Sequence, residues 1–348
     1  MKRTLFVFTV AMLVLSAAPA QKTIGLTITK GQMPYVALDK NNALHIVYGR
    51  GDSIMYISSK DGRSYSFPSL VAVLPGLAAS SMRGPQIAAT GDGLAITACD
   101  NQGNIFSYTK DLVGNWTKAI RVNEVNGIAK EALMALSADG LNVFAAWLGV
   151  SGPKGQAIYG ANSADGGRTW TKNILVYASP DGSVCECCKP SVVVKGKNLY
   201  VMFRNLIDGN RDMYLIKSED GGKSFGQATK LGTGSWKLSG CPMDGGGLVV
   251  DQNGNPETVW RREEKIYVFT PGMPEKEIGE GRGCTITTKS NRNFYAWSEN
   301  GNLMLMKPDG LKINLGKGTL PQVRVMSDQE LICIWENEKQ IHGSIVQL

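Results

Sequence analysis

Ser163-Ala-Asp-Gly-Gly-Arg-Thr-Trp170 comes back further along the chain as Ser218-Glu-Asp-Gly-Gly-Lys-Ser-Phe225. The shared form, Ser-x-Asp-Gly-Gly-x-(Thr/Ser)-(Trp/Phe), is a tight turn with its own chemistry. Asp165 and Asp220 are placed to accept backbone N–H bonds across it. The glycines supply positive φ, and Trp170 or Phe225 packs underneath. Looser copies stand at Ser59-Lys-Asp-Gly-Arg-Ser-Tyr-Ser-Phe67 and Thr109-Lys-Asp-Leu-Val-Gly-Asn-Trp116, with a remnant at Asp309-Gly310.

Outside these turns the chain is β-rich. Apolar runs such as Leu44-His-Ile-Val-Tyr48, Val143-Phe-Ala-Ala-Trp147, Leu199-Tyr-Val-Met-Phe203 and Leu331-Ile-Cys-Ile-Trp335 are short and bounded by Gly, Asn and Asp. No stretch sustains a helical period, and 41 glycines are available for turns. This is the pattern of an all-β chain with many short strands. A longer period overlies it. Small strands open at Pro34-Tyr-Val-Ala-Leu-Asp39, Pro85-Gln-Ile-Ala-Ala89, Ala132-Leu-Met-Ala-Leu136, Pro190-Ser-Val-Val-Val194, Gly247-Leu-Val-Val-Asp251, Cys284-Thr-Ile-Thr-Thr288 and Pro321-Gln-Val-Arg-Val325. Openings at intervals of roughly 40–55 residues match the blades of a β-propeller. The last unit has room for three strands, and Thr23-Ile-Gly-Leu-Thr-Ile-Thr29 is an orphan strand. Pairing that strand with the last blade completes a four-stranded sheet and closes the ring, leaving few exposed edges. Seven blades are expected, with six as the alternative if one opening is miscounted.

Residues 1–20 read as an export signal, and residues 21–348 as the propeller. Lys2 and Arg3 form a basic start, Leu5 to Leu15 an apolar run, and Ala18-Pro19-Ala20 a small-residue cleavage site. The apolar run is shorter than the roughly 20 residues that span a bilayer. The expected location is therefore outside the cytoplasm, periplasmic or extracellular, with no stable membrane insertion. The formal charge is +7, and removing Lys2 and Arg3 leaves about +5. That mild excess has no Lys/Arg block, which argues against a nucleic-acid partner. Only His45 and His342 are present, so histidine-rich metal sites and most catalytic triads are excluded.

The repeated turn resembles the Asp-box (BNR repeat) of sialidase-like β-propellers, and the resemblance covers most of the chain after residue 20. In that family the box is a structural device on the outer part of the blade. A sialidase also needs three arginines that clamp the substrate carboxylate, a tyrosine–glutamate nucleophile and an aspartate acid/base. Arg83, in Arg83-Gly84-Pro85, stands where the family has an Arg-Ile-Pro motif, with Gly in place of Ile. Arg282 is similarly placed before Cys284, and Arg204 or Arg211 is a candidate third member. Asp92 and Asp100 are candidates for the acid, and no tyrosine–glutamate pair is identifiable. The competing account of the arginines is packing between blades.

The seven cysteines divide into two groups. Cys99 and Cys333 lie inside apolar strands and read as core. Cys185, Cys187 and Cys188 precede the fourth opening, Cys241 the fifth, and Cys284 begins the sixth. Chain leading into an innermost strand lies near the propeller axis, so five sulfurs should meet on one sector of the axial face. In an oxidising compartment, disulfides from the Cys185–Cys188 run to Cys241 and Cys284 are one account, with one thiol left over. A soft-metal site is the second: thiolates with Met243, and with Met82 near by, suit copper(I), with zinc as the other candidate. A thiol redox pair is the third, with Lys189 able to lower a thiol pKa. The combination of Cys-x-Cys-Cys, Phe203-Arg204-Asn205, Arg211-Asp212 and Trp236 with Gly240-Cys-Pro-Met-Asp-Gly245 resembles an exported, cysteine-containing subgroup of the sialidase-like proteins.

The expected function is ligand binding or chemistry at a cysteine-lined axial site. The alternatives are an exo-glycosidase of sialidase type and a disulfide-stabilised interaction scaffold. The expected partners are a glycan, a metal ion or a protein at the axial face of a monomer.

Overall fold

The computed structural model describes residues 24–348 except 112 and 153–154. The export signal expected at 1–20 lies outside the described residues. Seven four-stranded antiparallel sheets form a seven-bladed β-propeller. The first strands of blades 1 to 7 are Gln32–Leu38, Gln86–Ala89, Met134–Asp139, Ser191–Lys195, Gly246–Val250, Arg282–Lys289 and Thr319–Val325. Each touches the first strand of the next blade, and the seventh touches the first, so these strands line the axis. All seven openings expected from the sequence fall on them or at their edges.

The ring closes as expected. Ile24–Lys30 pairs antiparallel with Gln340–Gln347 as the outer strand of blade 7, with Gly25 opposite Ser344 and Leu26 opposite Gly343. Among the described residues no helix is long and apolar enough to cross a membrane.

The core is divided rather than central. Seven apolar clusters each straddle one seam between neighbouring blades. Strand alternation explains this, because successive side chains face the blade before and the blade after. Val47 and Ile54 meet Ile87 and Ile96 at one seam, and Tyr48 and Ile46 meet Ile334 and Ile345 at another. Cys99 and Cys333 belong to two of these clusters and are packing residues.

The repeated turns sit between the third and fourth strands. Asp165 Oδ1 accepts the backbone N–H groups of Arg168 at 3.0 Å and Thr169 at 2.9 Å, and Ser163 Oγ accepts that of Gly167 at 2.8 Å. Asp220 does the same for Lys223 and Ser224, and Asp61 for Arg63 and Ser64. The second glycine is required by contact as well as by φ. At Gly222, with φ +80°, a Cβ would lie 2.5 Å from Leu199 Cδ1 and 2.8 Å from Asn162 of blade 3. Each turn thus presses on the preceding blade. Ser107 of blade 2 donates its hydroxyl to the Gly167 carbonyl at 2.9 Å.

Candidate functional site

An eighth buried cluster belongs to no strand seam. It is Cys185, Cys187 and Cys188, with Met243 packed against it. The chain before blade 4 is pinned where these residues fall. The Val184 N–H donates to the Gln156 carbonyl at 2.9 Å, and the Cys185 N–H to the Arg204 carbonyl at 3.0 Å. On the other side, the loop between the second and third strands of blade 4 is bound to the stretch leading to Cys241. The Arg211 N–H donates to the Trp236 carbonyl, and the Trp236 N–H donates to Asp212 Oδ1, each at 2.8 Å. The cysteine run is held between these two segments.

The three sulfurs lie within 4.8 Å of one another. Cys185 Sγ is 3.3 Å from Cys188 Sγ and 3.9 Å from Cys187 Sγ. Cys187 forms a disulfide with Cys241, Cα to Cα 6.2 Å. Cys187 is buried and Cys241 is exposed, so the bridge reaches the surface at one end. Of the two bridges considered from sequence, one is formed. Cys284 is a free, buried thiol on the blade 5–6 seam beside Ile286 and Trp297.

The free thiols are electrostatically unequal. The hydrogen bond with Cys188 lowers the Cys185 pKa most; burial opposes it, and the Arg204 and Arg211 charges add to the lowering. Arg211 donates directly to Cys185 Sγ at 3.1 Å. Burial pushes Cys188 and Cys284 well above the ordinary thiol value. The geometry therefore sets one thiolate beside one thiol. Lys189, expected beside the sulfurs, is elsewhere. Its ammonium bonds to Gln86 Oε1 at 2.8 Å and lies 3.6 Å from the centre of the Tyr35 ring. Arginines supply the charge at Cys185 instead.

The four candidate clamp arginines have separate duties. Arg83 pairs with Glu131 at 2.8 Å and donates to the Glu131 carbonyl at 2.6 Å. Arg204 is buried and donates to the carbonyls of Arg211 at 2.7 Å and Arg261 at 2.8 Å, while its Nε has no partner among the described residues. Arg211 serves Cys185 and the Leu238 carbonyl. Arg282 is exposed and donates to the Met243 carbonyl at 2.8 Å. Arg204 and Arg211 thus belong to the cysteine cluster, Arg282 holds the backbone of Met243 at its edge, and Arg83 is engaged outside it. Asp92 pairs with Arg168 at 2.9 Å, and Asp100 accepts the N–H groups of Gln102 and Asn104 in a turn.

Sequence reasoning passed over Arg261 and Arg324. Arg261 and Arg204 both lie against the Trp236 ring, at 5.3 Å and 5.4 Å, and Arg261 reaches Asp244 at 3.7 Å. Arg324 faces the axis. Alternation in Thr319–Val325 buries Val323 and Val325 and leaves Arg324 on the other face, which was the available signal. The axial cavity has a volume of about 420 Å³ and is lined by Tyr35, Gln86, Lys189, Asp244, Cys284 and Arg324 among others.

No protein-family model matches the chain, and no curated protein matches it in sequence. Solved structures do match in fold. A lectin from Burkholderia pseudomallei is 10% identical with a TM-score of 0.65, covering 92% of this chain and 97% of its own. An α-L-arabinofuranosidase from Fusarium graminearum is 12% identical with a TM-score of 0.50, covering 93% and 98%. A sialidase from Trypanosoma rangeli is 11% identical with a TM-score of 0.50, covering 92% of this chain and 55% of its own. The class these likenesses define is the β-propeller fold. The neighbours themselves are glycan-binding or glycoside-processing proteins.

Proposed function

We propose that this chain is an exported β-propeller of the periplasm or extracellular space whose axial face carries a thiolate site for a thiophilic metal ion, copper(I) foremost, made available when an external dithiol, itself oxidised to a disulfide, gives two electrons and two protons to the Cys187–Cys241 bridge. The observation that carries the reading is the sulfur triangle of Cys185, Cys187 and Cys188. Metal–sulfur bonds near 2.3 Å imply sulfurs about 4 Å apart, and Cys185 Sγ lies 3.3 Å from Cys188 Sγ and 3.9 Å from Cys187 Sγ. The donor set is soft: thiols with Met243 alongside and no histidine among them. Opening the bridge frees Cys187 and adds Cys241, which also makes a four-thiolate zinc site the second metal candidate.

The repeated Asp-Gly turns support assigning the chain to the Asp-box sialidase-like proteins, in their cysteine-containing exported subgroup. The turn hydrogen bonds at Asp61, Asp165 and Asp220 favour that assignment.

The test is metal titration of the chain from Gln21 onward against a competing chelator. The reduced protein is expected to bind one copper(I) tightly, and the oxidised protein to bind it at least tenfold more weakly. Cys185→Ser and Cys188→Ser should each abolish tight binding. Equal, weak binding in both redox states would overturn the reading and leave the cysteines as a structural staple.

A second reading, glycan binding or hydrolysis at the axial face, is favoured by the neighbours' activities. Hydrolysis of a fluorogenic sialoside, lost in Arg83→Ala and Arg282→Ala, would establish it over the metal site. No binding on a glycan array and no hydrolysis would remove it.

A further inference from the structure

Two cations face the axial cavity without an anionic partner. Lys189 Nζ has the amide oxygen of Gln86 and the face of Tyr35. Arg324 donates to the carbonyls of Val323 at 2.7 Å and Val36 at 2.9 Å. Among the described residues neither makes an ion pair, and each keeps N–H donors uncommitted. The carboxylates of the same cavity are engaged with other groups. Asp244 accepts the N–H groups of Gly245 at 2.8 Å and Gly283 at 3.2 Å and lies 3.7 Å from Arg261. Glu336 accepts the Met33 N–H at 2.8 Å.

Bringing two like charges into a shared, poorly solvated space without a counter-charge is unfavourable. Both side chains line the same cavity, and burial lowers the Arg324 pKa to about 10. The arrangement is relieved if an anion enters the cavity. A cavity of about 420 Å³ has room for one of several heavy atoms, and a guanidinium beside an ammonium matches the oxygens of a carboxylate or phosphate.

We propose that the axial cavity is a binding site for a small oxyanion, carboxylate or phosphate, held between Lys189 and Arg324. The site is separate from the cysteine cluster, so its fate does not depend on the metal reading.

The experiment is calorimetric titration and thermal unfolding of the chain from Gln21 onward in sodium acetate, sodium phosphate and sodium chloride at matched ionic strength. Acetate or phosphate should raise the unfolding temperature beyond the chloride control. A shift in acetate alone assigns the carboxylate class, and in phosphate alone the phosphate class. Lys189→Met and Arg324→Met should each weaken binding at least tenfold. In anion-free buffer Lys189→Met should unfold at the same or a higher temperature than the parent, because it removes an uncompensated charge. A lysine kept only for packing would lower it. No shift beyond chloride, or a shift that survives in both variants, overturns the proposal.

Discussion

Arg211 helps set which thiol of the cluster carries charge, after the hydrogen bond with Cys188 and alongside Arg204. Its guanidinium lies 3.1 Å from Cys185 Sγ, while Cys188, only 3.3 Å further on, is held protonated by burial. Removing an opposite charge at this range shifts a pKa by roughly 1–3 units. Arg211→Met should therefore raise the Cys185 midpoint by an amount in that range, read from thiolate ultraviolet absorbance against pH. An unchanged titration would mean that the Cys188 hydrogen bond and Arg204 suffice to lower Cys185. At this scale the sequence revealed chemistry but not partners. The density of Cys185, Cys187 and Cys188 was plain, and so was the attraction of a nearby cation. Lys189 is adjacent in sequence but lines the axial cavity, whereas Arg211 arrives from a loop whose backbone is hydrogen-bonded to Trp236. Contact across such a loop leaves no local spacing to read. Arg204 poses the same difficulty: its bonds to the Arg211 and Arg261 carbonyls tie a loop of its own blade to the next blade.

The Asp-Gly turn was the most readable element, because its hydrogen bonds are local. The side chain, the amides it accepts and the glycine that permits the curve lie within a few residues. Openings of the first strands were readable for a related reason, since proline and glycine punctuate them. Outer strands such as Ile120–Arg121 and Thr229–Lys230 were not, because two residues at a blade edge carry no period. The turns also predict behaviour in acid. Backbone hydrogen bonds from Ser64 and Arg63 lower Asp61 to about 2. At Asp165 burial acts in the opposite sense, yet bonds from Thr169, Ser163 and Arg168 bring it to about 2 as well. A carboxyl lowered on folding contributes stability that is complete above its unfolded value of 3.8 and is lost as pH falls through the folded value. Urea midpoints should therefore fall between about pH 4 and pH 2, and Asp165→Asn should flatten the fall. Asp165→Ala should cost roughly 1–3 kcal/mol at neutral pH. An acid profile unaltered by Asp165→Asn would place the sensitivity elsewhere.

As a whole, the molecule is a ring of seams with no central core, so closure is a matter of stability. Ile24–Lys30 covers the outer edge of Gln340–Gln347. A chain starting after Lys30 should unfold several degrees lower and form concentration-dependent oligomers through the bared strand. Calorimetry with light scattering checks this, and an unchanged melting temperature in a monodisperse sample would contradict it. The bridge Cys187–Cys241 acts at the same scale, with a sequence separation of 54. Closing a loop of that length contributes about 4 kcal/mol on the chain-entropy account. It also makes blade 4 a covalent lasso, because every strand of that blade lies between the two half-cystines. A protease cut inside the lasso leaves a molecule of undiminished mass on a non-reducing gel and two fragments on a reducing one. The reductant that opens the cysteine cluster would thus also turn a silent nick into a severed chain. Damage to blade 4, harmless while the cluster is oxidised, would surface only when it is reduced.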